Sequence, residues 1–225
     1  MRTFVLLLLV TLSACSREPE PAAASRTDAP RTAEPRTPAT SKPRIVFLGD
    51  SLTAGLGLPS DQSYPSLIGR KLKESGYDYE IVNAGVSGDT SAGGVRRLDW
   101  SLEGDVRALV LALGANDGLR GLPPDEMQKN LEAVLDRAKA RNIPVVLAGM
   151  EAPPNNGPEY TREFREVYAE LAKAYDVRFV PFLLLGVAGN ASLNQGDGIH
   201  PNARGAEIVA GLVWSELEPL LRRPN

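Results

Sequence analysis

The stretch Arg44–Gly55, RIVFLGDSLTAG, decides how the chain folds. Ile45–Leu48 is a short apolar run with no polar alternation, and it stops at Gly49. Such a run belongs to a strand covered on both faces, the usual position in a parallel sheet. The polar block Gly49-Asp50-Ser51 follows at the strand's carboxyl end. Working outward, the same grammar repeats. Pro65–Ser75 carries apolar residues at 67, 68 and 72 and closes at Gly76, which predicts a helix. Tyr79–Val82 predicts a second strand, and Thr90–Leu102 a further helix. Val106–Leu113 is the most apolar strand candidate. Pro124–Ala140 starts on proline and has apolar residues at 127, 131, 134 and 135, one face of a helix. Val145–Ala148 and Val177–Val180 predict the last two strands, with helices over Glu159–Tyr175 and Ala203–Leu221. Strands and helices in strict alternation predict a parallel sheet with helices on both faces.

In such sheets ligands bind beyond the carboxyl ends of the strands. Polar blocks stand at three of those ends and in one late loop. They are Gly49–Gly55, Asn83-Ala84-Gly85-Val86-Ser87-Gly88-Asp89, Gly114-Ala115-Asn116-Asp117-Gly118 and Asp197-Gly198-Ile199-His200-Pro201. Each alone reads as an ordinary turn with an Asx hydrogen bond or a helix cap. Together, in this order and at these ends, they read as a site. A serine hydroxyl needs an adjacent base to become a nucleophile. His200 is the only histidine in the chain, so it is the one side chain suited to that work near neutral pH. Asp197, three residues earlier, is within reach of the other ring nitrogen, where a carboxylate sets the tautomer. Asp50 reads as a support of its turn, and Asp117 as a turn former. Trp100 and Trp214, on helices, read as core residues.

The four blocks resemble the SGNH (GDSL) hydrolases, a resemblance that spans nearly all of 44–222. Ser51, Gly85, Asn116 and His200 match the four residues that name that family. GDSLTAGLGL, NAGVSGDTSAGG, LGANDGLRG, PPNNGPEY and DGIHPNARG point to its thioesterase I/arylesterase/lysophospholipase branch. The resemblance implies a flavodoxin-like three-layer α/β/α sandwich with a five-stranded parallel sheet. It implies hydrolysis of acyl or aryl esters or thioesters through an acyl-enzyme, with no metal and no cofactor. It also implies Ser51, Asp197 and His200 as the catalytic set. The oxyanion donors would be the N–H groups of Ser51 and Gly85 and the amide of Asn116. Around Pro153-Pro154-Asn155, this chain carries Glu151 and Asn156 where the resemblance implies a basic residue and an aromatic. Leu119, Pro123, Pro153, Pro154 and Phe182–Val187 are candidates for an apolar acyl groove. A carbohydrate O-deacetylase and a non-catalytic surface lipoprotein remain alternatives on the sequence.

Composition bounds the rest. The chain has 225 residues, 43% hydrophobic and 24% charged, with a formal net charge of −3. That charge provides no broad basic field for nucleic acid. One cysteine and one histidine exclude an internal disulfide and any Cys-only or multi-His metal site. Residues 1–14, with Arg2, an apolar run from Phe4 and small residues at the end, predict a signal peptide too short to span a membrane. Leu12-Ser13-Ala14-Cys15 resembles a bacterial lipobox, with Cys15 as the lipidated residue. Residues 15–43 are rich in Pro, Ala, Thr and Ser without apolar periodicity and predict a disordered tether. The hydrolase domain is then 44–225. This reading places the protein in the cell envelope, exported and held by lipid, with Ser16 after the cysteine leaning towards the outer membrane.

Overall fold

A computed structural model describes residues 42–222. The predicted signal peptide, Cys15 and nearly all of the predicted tether lie outside the described residues. Within them five strands form one parallel sheet in the order β2-β1-β3-β4-β5. The strands are β1 Arg44–Gly49, β2 Glu80–Gly85, β3 Val106–Ala112, β4 Val145–Ala148 and β5 Arg178–Val180. Their order is that of the flavodoxin-like doubly wound sheet. In β1 and β3, Ile45–Leu48 and Ala108–Leu111 have no exposed surface, because helices cover both sides of the sheet's centre. This is why neither run shows polar alternation.

The main helices are α2 Tyr64–Glu74, α6 Pro124–Ala140, α7 Pro158–Tyr175 and α8 Ala203–Leu217. α2 packs with α8, and α6 packs with α7, giving the three layers. The amphipathic readings hold in detail. Met127, Leu131, Val134, Leu135 and Ala138 are the buried face of α6, and Phe164, Val167, Tyr168, Leu171 and Ala172 that of α7. α8 stops at Leu217, short of the expected Leu221, and a single 3-10 turn over Glu218–Leu220 ends it.

The segment expected as one helix over Thr90–Leu102 is two, α3 Ser91–Arg96 and α4 Leu98–Ser101. The break falls at Arg97, whose guanidinium reaches inward instead of to solvent. Its Nε donates to Asp89 Oδ2 at 2.7 Å, and its other nitrogens donate to the carbonyls of Ala84 at 2.6 Å and Gly49 at 2.8 Å. One side chain thus ties the carboxyl ends of β1 and β2 together. The break also turns Trp100 outwards. It is 68% exposed, so it is not a core residue, whereas Trp214 packs against the core with Tyr77 at 6.3 Å between ring centroids.

Chain direction across the sheet reverses between β1 and β3, since β2 lies on one side of β1 and β3, β4 and β5 follow on the other. A crevice at the carboxyl ends opens at such a switch point. β1 delivers Asp50 and Ser51 to it, and β3 delivers Asn116.

Candidate active site

Beyond β1, the short helix α1 (Ser51–Ala54) begins immediately. Asp50 caps it, accepting the Leu52 N–H at 3.0 Å, and Gly55 ends it in the left-handed region at φ 75°. So tight an exit needs the helix backbone to lie directly on the strand ends. A Cβ on Gly85 would come within 2.2 Å of the Ala54 nitrogen, so only glycine fits there. Asn83 adds a clamp, its amide donating to the Thr53 carbonyl at 2.9 Å.

The late loop folds back to meet Ser51. Gln195 donates to the carbonyls of Leu56 at 2.7 Å and Pro201 at 3.0 Å, which anchors the loop to the chain just after α1. Asp197 Oδ1 accepts the backbone N–H groups of Ile199 at 2.9 Å and His200 at 3.0 Å. Its Oδ2 lies 2.7 Å from His200 Nδ1, and His200 Nε2 lies 2.8 Å from Ser51 Oγ. The carboxylate can only accept, so it fixes the proton on Nδ1 and leaves Nε2 as the acceptor of the serine hydroxyl. The His200 and Ile199 amides, with the imidazole, hold the Asp197 carboxyl down at about 2. It is a charged acceptor throughout the neutral range.

On the other flank stands α5 (Ala115–Leu119). Its Asn116 amide donates to the Asp89 carbonyl at 3.0 Å and to Asp50 Oδ2 at 3.3 Å. Asp50 is only 1% exposed. Burial pushes its carboxyl up to about 6, against the lowering effects of the Leu52 N–H, His200 and Asn116. A groove of about 290 Å³ runs past Ser51, His200 and Asn116. Leu52, Leu119, Met150, Phe182, Leu184 and Ile199 give it apolar walls.

A family model described as the GDSL-like lipase/acylhydrolase family matches residues 47–208. The chain belongs to this family. It is 43% identical over 178 residues to Esterase TesA of Pseudomonas aeruginosa, an alignment covering 79% of this chain and 89% of that protein. It is 35% identical over 182 residues to Thioesterase 1/protease 1/lysophospholipase L1 of Escherichia coli, covering 80% and 86%. The crystal structure of TesA superposes with a TM-score of 0.76 at 42% identity, covering 79% of this chain and 99% of that one. The psychrotrophic esterase EstA from Pseudoalteromonas sp., solved inhibited by monoethylphosphonate, gives 0.74 at 33% identity over 78% and 97%. As a member of the family, the chain is a serine ester hydrolase.

The fold brings Ser51, Asp197, His200 and Asn116 of the sequence reading into one crevice. Gly85 is placed differently. Its N–H donates to Asn83 Oδ1 at 3.0 Å, so it is not a free donor, and its missing Cβ makes room for α1 instead of a substrate. In the adjoining turn Asp89 N–H bonds the Val86 carbonyl, Gly88 has φ 83°, and the Gly88 N–H has no partner among the described residues. Asp117 is more than a turn former. It is 2% exposed and accepts the Ser91 N–H at 2.8 Å and the Ser91 hydroxyl at 2.6 Å, pinning α3 beneath the site. Of the candidate groove residues, Leu119, Pro153, Phe182 and Leu184 line it, whereas Pro123, Pro154, Leu183, Leu185, Gly186 and Val187 do not. Arg97 escaped the sequence reading, because a basic residue inside a polar helix resembles any solvated one.

Proposed function

We propose that this chain cleaves acyl and aryl esters, and acyl thioesters, through a covalent intermediate on Ser51. The observation that carries the reading is the unbroken relay of short contacts from Asp197 to His200 at 2.7 Å and from His200 to Ser51 at 2.8 Å. Ser51 Oγ attacks the carbonyl carbon while its proton passes to His200 Nε2. The imidazolium so formed is stabilised by the ionised Asp197. The tetrahedral oxyanion then collapses, and the leaving alcohol or thiol departs with the proton from Nε2. Water repeats the sequence on the acyl-enzyme, releasing the acid and restoring Ser51.

The oxyanion needs donors fixed in advance. The Ser51 N–H heads α1 with no partner among the described residues. The Asn116 amide, which lines the same crevice, reaches the oxyanion by giving up its long 3.3 Å contact to Asp50 Oδ2 while keeping the Asp89 carbonyl. The third donor is assigned to the Gly88 N–H, unpartnered among the described residues and next to the Asp89 carbonyl that Asn116 holds, in place of the engaged Gly85. Each such donor contributes about 3–4 kcal/mol to the transition state. A fluorophosphonate probe is expected to label the protein at Ser51, and Ser51→Ala to lose both labelling and turnover of p-nitrophenyl butyrate. Labelling retained in Ser51→Ala moves the nucleophile elsewhere.

The proposal extends to location. Cys15 is read as a lipid attachment point, on the support of the preceding apolar segment and small residues alone. Cells expressing the full chain are expected to incorporate palmitate into it and carry it in membranes. Cys15→Ala is expected to lose the label.

A further inference from the structure

The groove beside Ser51 and His200 has a charge asymmetry that its apolar walls conceal. Two carboxylates line it, Asp50 at the floor and Glu151 among Met150, Ala152 and Pro153, and no lysine or arginine does. Asp197 adds a third negative charge against His200. The cation closest to Glu151 is Arg165, 3.6 Å from its Oε1, with both side chains about half exposed (57% and 49%). A loose exposed pair of this kind leaves the carboxylate largely unneutralised towards its open side. Arg120 keeps its charge but points to the Gly88 carbonyl at 2.8 Å, on the oxyanion flank, and is not part of the lining around Glu151. Apart from that loose pair with Arg165, Glu151 makes no side-chain hydrogen bond among the described residues and caps no helix, so its structural duty at the wall of an apolar groove is slight.

We propose that Glu151 is a specificity-determining residue that steers the groove towards esters and thioesters with a neutral or cationic group and disfavours polyanionic ones. The inference rests on the hydrolase reading given above. Its physical basis is the unscreened approach of a charged substrate to like or opposite charge over a low-dielectric apolar surface, which acts on capture and therefore on kcat/KM. It separates two members of the thioester class that share one acyl group, a coenzyme A thioester and a choline thioester.

The test compares kcat/KM for butyrylthiocholine and butyryl-coenzyme A at low ionic strength, each divided by the value for neutral p-nitrophenyl butyrate on the same preparation. Wild type is expected to favour the choline thioester. Glu151→Gln is expected to move the ratio towards coenzyme A by about threefold and Glu151→Lys by about tenfold. Arg165→Gln should move it the opposite way, since it removes the partial counter-charge. Glu151→Asp should keep the wild-type order, and 0.5 M NaCl should compress all of these differences. A ratio that is the same in wild type, Glu151→Gln and Glu151→Lys overturns the proposal. A wild type that fails on p-nitrophenyl butyrate overturns the hydrolase reading instead, so the two failures are told apart.

Discussion

Two carboxylates act on His200, Asp197 by direct contact and Asp50 through charge, and they behave as opposites. Asp197 sits on an exposed loop, where two backbone amides and the imidazole hold it down at about 2. Asp50 lies at the end of β1 with 1% exposure, and burial pushes it up to about 6. The chemical group is the same. What differs is solvent: the loop carboxylate keeps water and gains donors, whereas the buried one loses water and retains the Leu52 N–H, its own N–H and a long contact to Asn116. A carboxylate that must carry charge for the relay is therefore built at the surface. The buried one serves geometry, holding the cap of α1 and the amide of Asn116.

Exchanging each for its amide is the direct way to break this contrast. Asp197→Asn should lower kcat/KM by about 10³–10⁴, because the amide no longer enforces the proton on Nδ1. Circular dichroism should show the fold intact, since the loop is exposed. A loss below tenfold would remove Asp197 from the relay. Asp50→Asn should lower kcat by about tenfold to a hundredfold with little change in KM, through a misplaced Asn116 donor. If KM rises and kcat holds, Asp50 acts on ground-state binding.

The same substitution sharpens the contrast in stability. A carboxyl raised in the folded state binds more protons there than in the unfolded chain. Asp50 therefore costs stability as pH rises from its ordinary value of 3.8 to about 6, and the cost stays constant above that. Denaturant titrations should find Asp50→Asn gaining on wild type by about 2–3 kcal/mol between pH 4 and pH 8. A difference independent of pH would show that Asp50 ionises without penalty. The smallest effect belongs to the exposed loop. Gly198 lies between Asp197 and Ile199 at φ 72°, a conformation that costs other residues about 1 kcal/mol. Gly198→Ala should reduce kcat/KM by about fivefold and leave the unfolding midpoint of the sheet nearly unchanged.

Much of this is legible in the sequence. The apolar runs at 45–48 and 106–113 identify central strands, because a strand covered on both faces needs no alternation. The spacing of Asp197 and His200 lies within one loop, and the hydrogen bonds that join them are local. Less legible were the partners of groups distant in sequence. Arg97 and Gly49 are 48 residues apart, and nothing around Arg97 distinguishes it from an exposed basic residue. Trp100 follows from that error, since its outward turn depends on where Arg97 breaks the helix.

The sequence by itself determined the doubly wound α/β class and the places where polar residues gather, through periodicity, glycine at strand ends and a histidine count of one, all local or compositional properties. Ser51, Asp197 and His200 were singled out there by that lone histidine together with the resemblance of the four polar blocks to the SGNH hydrolases. Only the tertiary structure decided that the Gly85 N–H is spent on Asn83 and its bare Cα on α1. Only it decided that Asp50 is buried, that Glu151 stands at a groove and that Asp117 holds α3. The reason is physical. A hydrogen bond or a desolvation penalty belongs to a pair of groups and their surroundings, and the parallel register of β1 with β2 and β3 chooses those surroundings.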